Sequence, residues 1–161
     1  MNTKTFSIVL FSALCIGAGS VSAAETKITP DVVYGHKDGL ALTYDVLQPP
    51  EPNGAAVLWI QSGGWYSGWQ SPQNFLVAGK PYLDKGFTLY VVRHGSAPKY
   101  HILESAADVR RAVRHVRVNA KSFGVDPERL GVTGGSAGGH LTLVLATTGD
   151  DGDPKAKDPV L

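Results

Sequence analysis

The stretch Leu130-Gly131-Val132-Thr133-Gly134-Gly135-Ser136-Ala137-Gly138-Gly139-His140-Leu141-Thr142-Leu143-Val144-Leu145-Ala146 decides the fold. Leu130 to Thr133 reads as a short strand and Ala137 to Thr147 as a helix, so the chain passes from strand to helix through Gly134, Gly135 and Ser136 alone. There Gly134-Gly135-Ser136-Ala137-Gly138 matches G-x-S-x-G. A serine on so tight a turn takes strained backbone angles, and flanking residues without side chains relieve the crowding. Its hydroxyl then projects above the carboxyl edge of a sheet, where the helix N-terminus and the Ala137 amide face a developing oxyanion. Ser136 is the candidate nucleophile, with Gly134, Gly135 and Gly138 as its elbow.

Two other glycine readings of this stretch fail. A phosphate-cradling loop needs Lys and then Ser or Thr after Gly139, where His140-Leu141 stand. A dinucleotide turn needs another glycine at His140 and belongs after a domain's first strand, whereas about four strands precede this one. No nucleotide cofactor is called for, and no metal either.

Upstream, the pattern alternates between strands and helices. Val32-Val33-Tyr34 reads as a short strand and Lys37-Asp38-Gly39 as a turn. Leu40, Leu42, Tyr44 and Val46 then alternate with polar or small residues, as on a half-buried strand. The prolines at 49, 50 and 52 end that hairpin. Ala55 to Ile60 is continuously apolar, a strand buried on both faces. Phe75 to Lys85 reads as one helix stopped at Gly86, and Phe87 to Val92 as the next strand. Ile102, Ala106, Val109, Val113, Val116, Ala120 and Phe123 recur at steps of three and four, the apolar stripe of a long helix ended by Gly124. Arg110, Arg111, Arg114, Arg117 and Lys121 lie on its other face and read as solvated. A hairpin followed by strand–helix repeats predicts an α/β sheet, mostly parallel with an antiparallel N-terminal hairpin.

The N-terminus reads differently from the rest. Lys4 precedes an apolar run from Phe6 to Ala18, and small residues follow at Val21-Ser22-Ala23-Ala24, the pattern of an export signal cleaved after residue 23. The run is too short for a stable membrane span. Residues 24–161 then form the domain, which is expected to be periplasmic or extracellular. Removing residues 1–23 takes away Lys4 and Cys15, leaving no cysteine and equal numbers of basic and acidic residues. The whole chain, 161 residues with 15 Lys+Arg against 14 Asp+Glu, has no electrostatic footprint for nucleic acid.

A second glycine cluster, Gln61-Ser62-Gly63-Gly64-Trp65, follows directly on the apolar strand ending at Ile60. An oxyanion hole takes one amide from the end of a neighbouring strand, and glycines let that backbone approach a substrate. Paired with the serine turn, this loop reads as functional rather than as a packing turn.

Residues 40–148 resemble the first half of an α/β-hydrolase of the esterase/lipase type, close to the bifunctional feruloyl and acetylxylan esterase-like group. The resemblance is carried by Leu42 to Val46, Gly63-Gly64-Trp65, Asp108 to Arg114 and Phe123 to Val132, and most specifically by Gly134 to Leu141. The His-Gly-Gly-Gly usual in that family appears here as Gln61-Ser62-Gly63-Gly64. The resemblance implies Ser136 as nucleophile and the amides of Gly63 or Gly64 and of Ala137 as the oxyanion hole. The implied substrate is an ester, small or borne on a polysaccharide.

The order of the triad in that fold is Ser, then Asp or Glu, then His. After Ser136 the sequence offers Asp150, Asp151, Asp153 and Asp158, but its one histidine there, His140, lies a helical turn past the serine and points along the helix. His94 reads as a pocket-wall or structural residue. His36 (in a turn), His101 and His115 have no claim, and Asp108 reads as an acid favoured by its helix dipole. Asp150 to Asp153 lacks the spacing of a calcium loop. The fold implied runs to roughly 250 residues or more. The expectation is therefore the N-terminal portion of a secreted serine esterase, inactive or nearly so as written. The alternative is a non-catalytic, hydrolase-like binding module, in which Trp59, Trp65 and Trp69 would stack on a ligand.

Overall fold

The computed structural model describes residues 25–149, 152–158 and 160. The proposed export signal lies outside them, as do Asp150 and Asp151. Five strands form one mixed sheet: β1 (Lys27–Lys37), β2 (Leu40–Gln48), β3 (Ala56–Ile60), β4 (Thr88–Val92) and β5 (Leu130–Thr133), in the order β1-β2-β4-β3-β5. β1 and β2 form the antiparallel hairpin, β2 runs antiparallel to β4, and β4, β3 and β5 are mutually parallel. The predicted α/β-hydrolase architecture is present.

Side-chain alternation divides the core into two layers. Tyr44, Val46, Leu58, Ile60, Tyr90 and Val92 point to one face, where α3 (Ile102–Asn119) covers them with Val109, Ala112 and Val116, and α4 (Ala137–Thr147) with Leu141. Leu47, Val57, Leu89 and Val91 point to the other, under Phe75 of α1 (Asn74–Ala78) and Leu83 of α2 (Lys80–Leu83). Each such side chain taken wholly out of water contributes about 1.5–3 kcal/mol before entropy is charged against it.

The order of the strands positions the site. From β3 the chain crosses one face through α1 and α2 to β4, then returns over the opposite face through α3 to β5. The loop after β3 and the turn after β5 thus leave neighbouring strands toward opposite faces. That arrangement opens a crevice at the carboxyl ends of β3 and β5, the place where open α/β sheets bind ligands.

Several readings of the sequence are corrected. The expected helix from Phe75 to Lys85 is two short ones that meet at Gly79, where a Cβ would lie 2.4 Å from Leu89 Cδ2 and 2.7 Å from Phe75 O. β1 has eleven residues rather than three, bent by a register shift between Thr29 and Val32, and His36 lies in this strand rather than in a turn. β2 is not half-buried: Leu40 is exposed, while both faces are covered from Tyr44 to Leu47. The reason is Asp45, fully buried because Arg93 binds it bidentately at 2.6 and 2.8 Å. Arg93 also reaches Asp31 at 2.7 Å and Thr43 Oγ1 at 3.1 Å. The arginine face of α3 is not simply solvated either. Arg110 donates to Thr148 O at 2.7 Å, Arg114 to Val160 O at 2.9 Å, and Arg111 lies 3.5 Å from Asp158, so the face holds the C-terminal segment. The stripe of α3 fits from Ala106 onward, Ile102 being exposed at the first turn, with its last turn tightened into a 3₁₀ helix (Ala120–Phe123) and Gly124 left-handed at φ 66°.

Candidate active site

Ser136 sits between β5 and α4 with φ 50° and ψ −121°, a conformation that side chains rarely adopt. It is exposed, while Ala137 behind it is buried. The glycines around it serve different ends. A Cβ on Gly138 would lie 2.2 Å from Ile60 O, and one on Gly134 would lie 2.6 Å from Gly138 C, so these two let α4 close onto β3 and β5. A Cβ on Gly135 would meet nothing within 4 Å, so crowding does not require a glycine there.

The facing loop continues the register of β3, with Gln61 N–H donating to Val92 O at 3.0 Å. Gly63 and Tyr66 then exchange backbone bonds of 3.0 and 2.9 Å around a tip where Gly64 (φ 57°) and Trp65 (φ 59°) are both left-handed. Two consecutive positive φ values make the tightest hairpin turn, which suits Gly64 and strains Trp65. Trp65 is held in place by His140: the rings meet edge to face with centroids 5.8 Å apart, and Nε1 lies 3.5 Å from His140 Nδ1. The loop's base is strapped by Ser67 Oγ, which donates to Gln61 O at 2.6 Å, and by Gln61 Nε2, which donates to Gly68 O.

The two arms expose different amides. Gly63 N–H is already bonded to Tyr66 O, whereas Gly64 and Ala137 N–H have no acceptor among the described residues. Of the two glycines read as oxyanion donors, Gly64 is the one whose N–H is available. Beside the loop lies a cleft of about 540 Å³ lined by Gln61, Ser62, Gly63, Tyr66, Trp69 and Gly135.

No histidine among the described residues hydrogen-bonds the Ser136 hydroxyl. His140 faces Trp65, and His115 Nδ1 lies 3.0 Å from Tyr44 Oη. His101 starts α3, its N–H donating to Glu104 Oε2 at 2.8 Å. His94 follows β4 on the same edge of the sheet as Ser136, buried, with Nδ1 2.8 Å from Gly95 O. Burial holds its pKa below the ordinary imidazole value. Asp108 is more than a dipole partner. Its carboxylate is buried, accepts Gly95 N–H at 2.9 Å and receives Lys37 Nζ at 3.0 Å, and so anchors the loop that carries His94. The sequence offered no signal for this link, because Lys37, Gly95 and Asp108 are brought together only by the sheet. Among the described residues no cluster of three His, Cys, Asp or Glu could hold a metal, and no helix is long and apolar enough to cross a membrane.

Comparison with known proteins identifies the family. The chain is similar to an ethyl acetate hydrolase from Pseudomonas putida, 30% identical over 84% of this chain and 42% of that protein. It is also similar to an acetylxylan esterase from Xylanibacter ruminicola, 30% identical over 62% of this chain and 20% of that one. Among solved structures it superposes on Thermogutta terrifontis esterase 2 with a TM-score of 0.65 and 26% identity, covering 84% of this chain and 52% of that chain. The chain thus spans about half or less of the length of these relatives. A family model described as BD-FAE matches residues 44–158, so the chain belongs to the BD-FAE family of α/β-hydrolase esterases.

Proposed function

We propose that this chain is the nucleophile-bearing portion of an exported serine carboxylic-ester hydrolase. The observation that carries the reading is the backbone of Ser136, at positive φ and exposed at the N-terminus of α4, next to the cleft that Gly135 shares with Gln61, Ser62 and Gly63. A strained serine at that point has no packing role, and strain persists where function requires it. In this reading Ser136 Oγ attacks the ester carbonyl carbon. The Gly64 and Ala137 amides stabilise the oxyanion, the alcohol departs, and water releases the acyl group from the serine. The proton of Ser136 passes to a base supplied from outside the described residues, since the five histidines are all placed elsewhere. The 161-residue chain by itself then hydrolyses esters at best ~10³–10⁴-fold faster than water. By analogy with the relatives, the substrate is a small ester or an acyl group on a polysaccharide.

A second reading, a hydrolase-like binding module without turnover, is favoured by the Ser136 hydroxyl, which has no hydrogen-bond partner among the described residues. Hydrolysis of p-nitrophenyl acetate and covalent capture by a fluorophosphonate separate the two. In the protein purified from its native source, with its base in place, the enzyme reading expects both, and expects both to be lost in Ser136→Ala. Hydrolysis that survives that substitution unchanged rules out Ser136 as nucleophile. N-terminal sequencing of the mature protein tests export: a start at Ala24 is expected, and retained residues 1–23 refute it.

A further inference from the structure

The segment that follows β4 does more than carry His94. Gly95 is gripped by α3 through both of its backbone groups: its N–H donates to the Asp108 carboxylate at 2.9 Å, and its carbonyl accepts Ser105 Oγ at 3.0 Å. The fit is close. A Cβ on Gly95 would lie 2.6 Å from Tyr100 Cδ2 and 3.0 Å from Asp108 Oδ2, so glycine is what lets the backbone come this near the acid. Asp108 and Ser105 are both buried, and Lys37 Nζ reaches the carboxylate from β1 at 3.0 Å. A charge is expensive to bury, and the partners of this one fix a single loop residue to a helix and a strand.

From Gly95 the grip passes to the loop after β3. His94 N–H donates to Ser67 Oγ at 3.3 Å, Ser67 N–H donates to Ser96 Oγ at 2.8 Å, and Ala97 N–H donates to Trp65 O at 3.0 Å. Ser67 Oγ in turn donates to Gln61 O at 2.6 Å, which closes the connection at the end of β3. Apart from the His140 contact, every hydrogen bond that ties residues 62–67 to another element among the described residues ends on His94, Ser96 or Ala97. The tip needs such restraint. Gly64 and Trp65 both stand at positive φ, 57° and 59°, and a strained turn keeps its shape only where its surroundings hold it.

We propose that Asp108 is a positioning residue: acting through Gly95 and the 94–97 segment, it fixes the tip that presents the Gly64 amide. That this amide is an oxyanion donor rests on the esterase reading; the mechanical link does not. A donor held in this way stays in place while charge develops, and a displacement of about 1 Å can cost about 100-fold in rate.

Amide hydrogen exchange of the 161-residue chain, resolved by NMR, reads the link without turnover. The reporters are the Gly63 and Ala97 N–H groups, bonded to Tyr66 O and Trp65 O. In Asp108→Ala both are expected to exchange about tenfold faster, while the amides of β4 keep their protection. Asp108→Asn retains an acceptor for Gly95 N–H, and Lys37 retains Glu104 O at 3.4 Å, so the reporters should return to within about threefold of the parent. Ser96→Ala breaks one bond of the relay without disturbing a charge; it should speed both reporters about threefold, and it decides the matter if Asp108→Ala does not fold. Unchanged exchange at Gly63 in these alanine variants overturns the proposal. Equal acceleration throughout β4 overturns it too, since Asp108 would then support the fold as a whole. In the protein purified from its native source, Asp108→Ala is expected to lower kcat for p-nitrophenyl acetate about 100-fold with KM little changed, and Asp108→Asn to restore it. A raised KM at constant kcat contradicts a role toward the oxyanion. Failure of the esterase reading gives a different pattern: a parent that neither hydrolyses the ester nor reacts with a fluorophosphonate, with the exchange response of Gly63 and Ala97 intact.

Discussion

Replacing Gly138 by Ala adds one methyl group at the most crowded point of the candidate site. The new carbon would stand 2.2 Å from Ile60 O, more than an ångström inside ordinary contact, and its neighbour is backbone rather than a side chain able to turn away. Neither partner yields easily. Ile60 ends β3, paired with Val92 of β4, while Gly138 N–H donates to Gly135 O at 2.9 Å and Gly138 O accepts Thr142 Oγ1 at 2.9 Å. The first turn of α4 must move outward as a unit, carrying Ser136 and Ala137 with it. Overpacking of this kind costs about 3 kcal/mol, at the upper end of the usual range because no rotamer change relieves it. Urea unfolding monitored by tryptophan fluorescence gives the loss directly. Gly135→Ala is the control: nothing lies within 4 Å, and it is expected to stay within about 0.5 kcal/mol of the parent. If the two variants prove equally stable, close packing is not what requires glycine at position 138.

Other perturbations test other parts of the fold. Arg93→Met leaves Asp45 fully buried and unpaired, and urea unfolding should show a loss of about 3–5 kcal/mol, most of it restored when Asp45→Leu is added. A single-variant loss below about 1 kcal/mol, inside the surface range, contradicts this. Gly64→Ala places a side chain at φ 57° and is expected to cost about 1 kcal/mol in the same assay, whereas Gly63→Ala, with open space around it, costs less. Burial lowers the pKa of both His94 and His115. As pH falls through ~6.5, the unfolded chain takes up protons that the folded chain refuses, so stability declines from neutral pH toward acid. A urea midpoint at about pH 5.5 equal to that at about pH 7.5 argues against this coupling.

The parts of the molecule that sequence made legible are those encoded by neighbours in the chain. The serine turn, the stripe of α3 and its stop at Gly124 all lie in local spacing. What stayed hidden depends on residues that meet through the sheet. Period-2 alternation assigned Asp45 to solvent because Arg93, its partner, lies 48 positions away. The arginines of α3 looked solvated because the segment that covers them comes after α4. Gly79 divides a helix for the sake of Leu89, a contact that no helical period reveals. In the candidate site both glycine clusters were visible, but not which amide was occupied: Gly63 N–H is taken by Tyr66 O through a hairpin fixed by the left-handed Gly64 and Trp65.

The place of β5 in the sheet has a consequence for how steadily such a site is held. β3, which leads into the Gly64 arm, is flanked by β4 and β5, while among the described residues β5 is bonded to β3 alone. Local opening begins where fewest neighbours hold the backbone, so the amides of β5 should exchange with deuterium sooner than those of β3 and β4. Each such opening carries Ser136 and Ala137 away together and leaves Gly64 behind. The spacing of the two amides is therefore no steadier than the outer strand, and whatever pairs with its free side also sharpens the geometry at the serine.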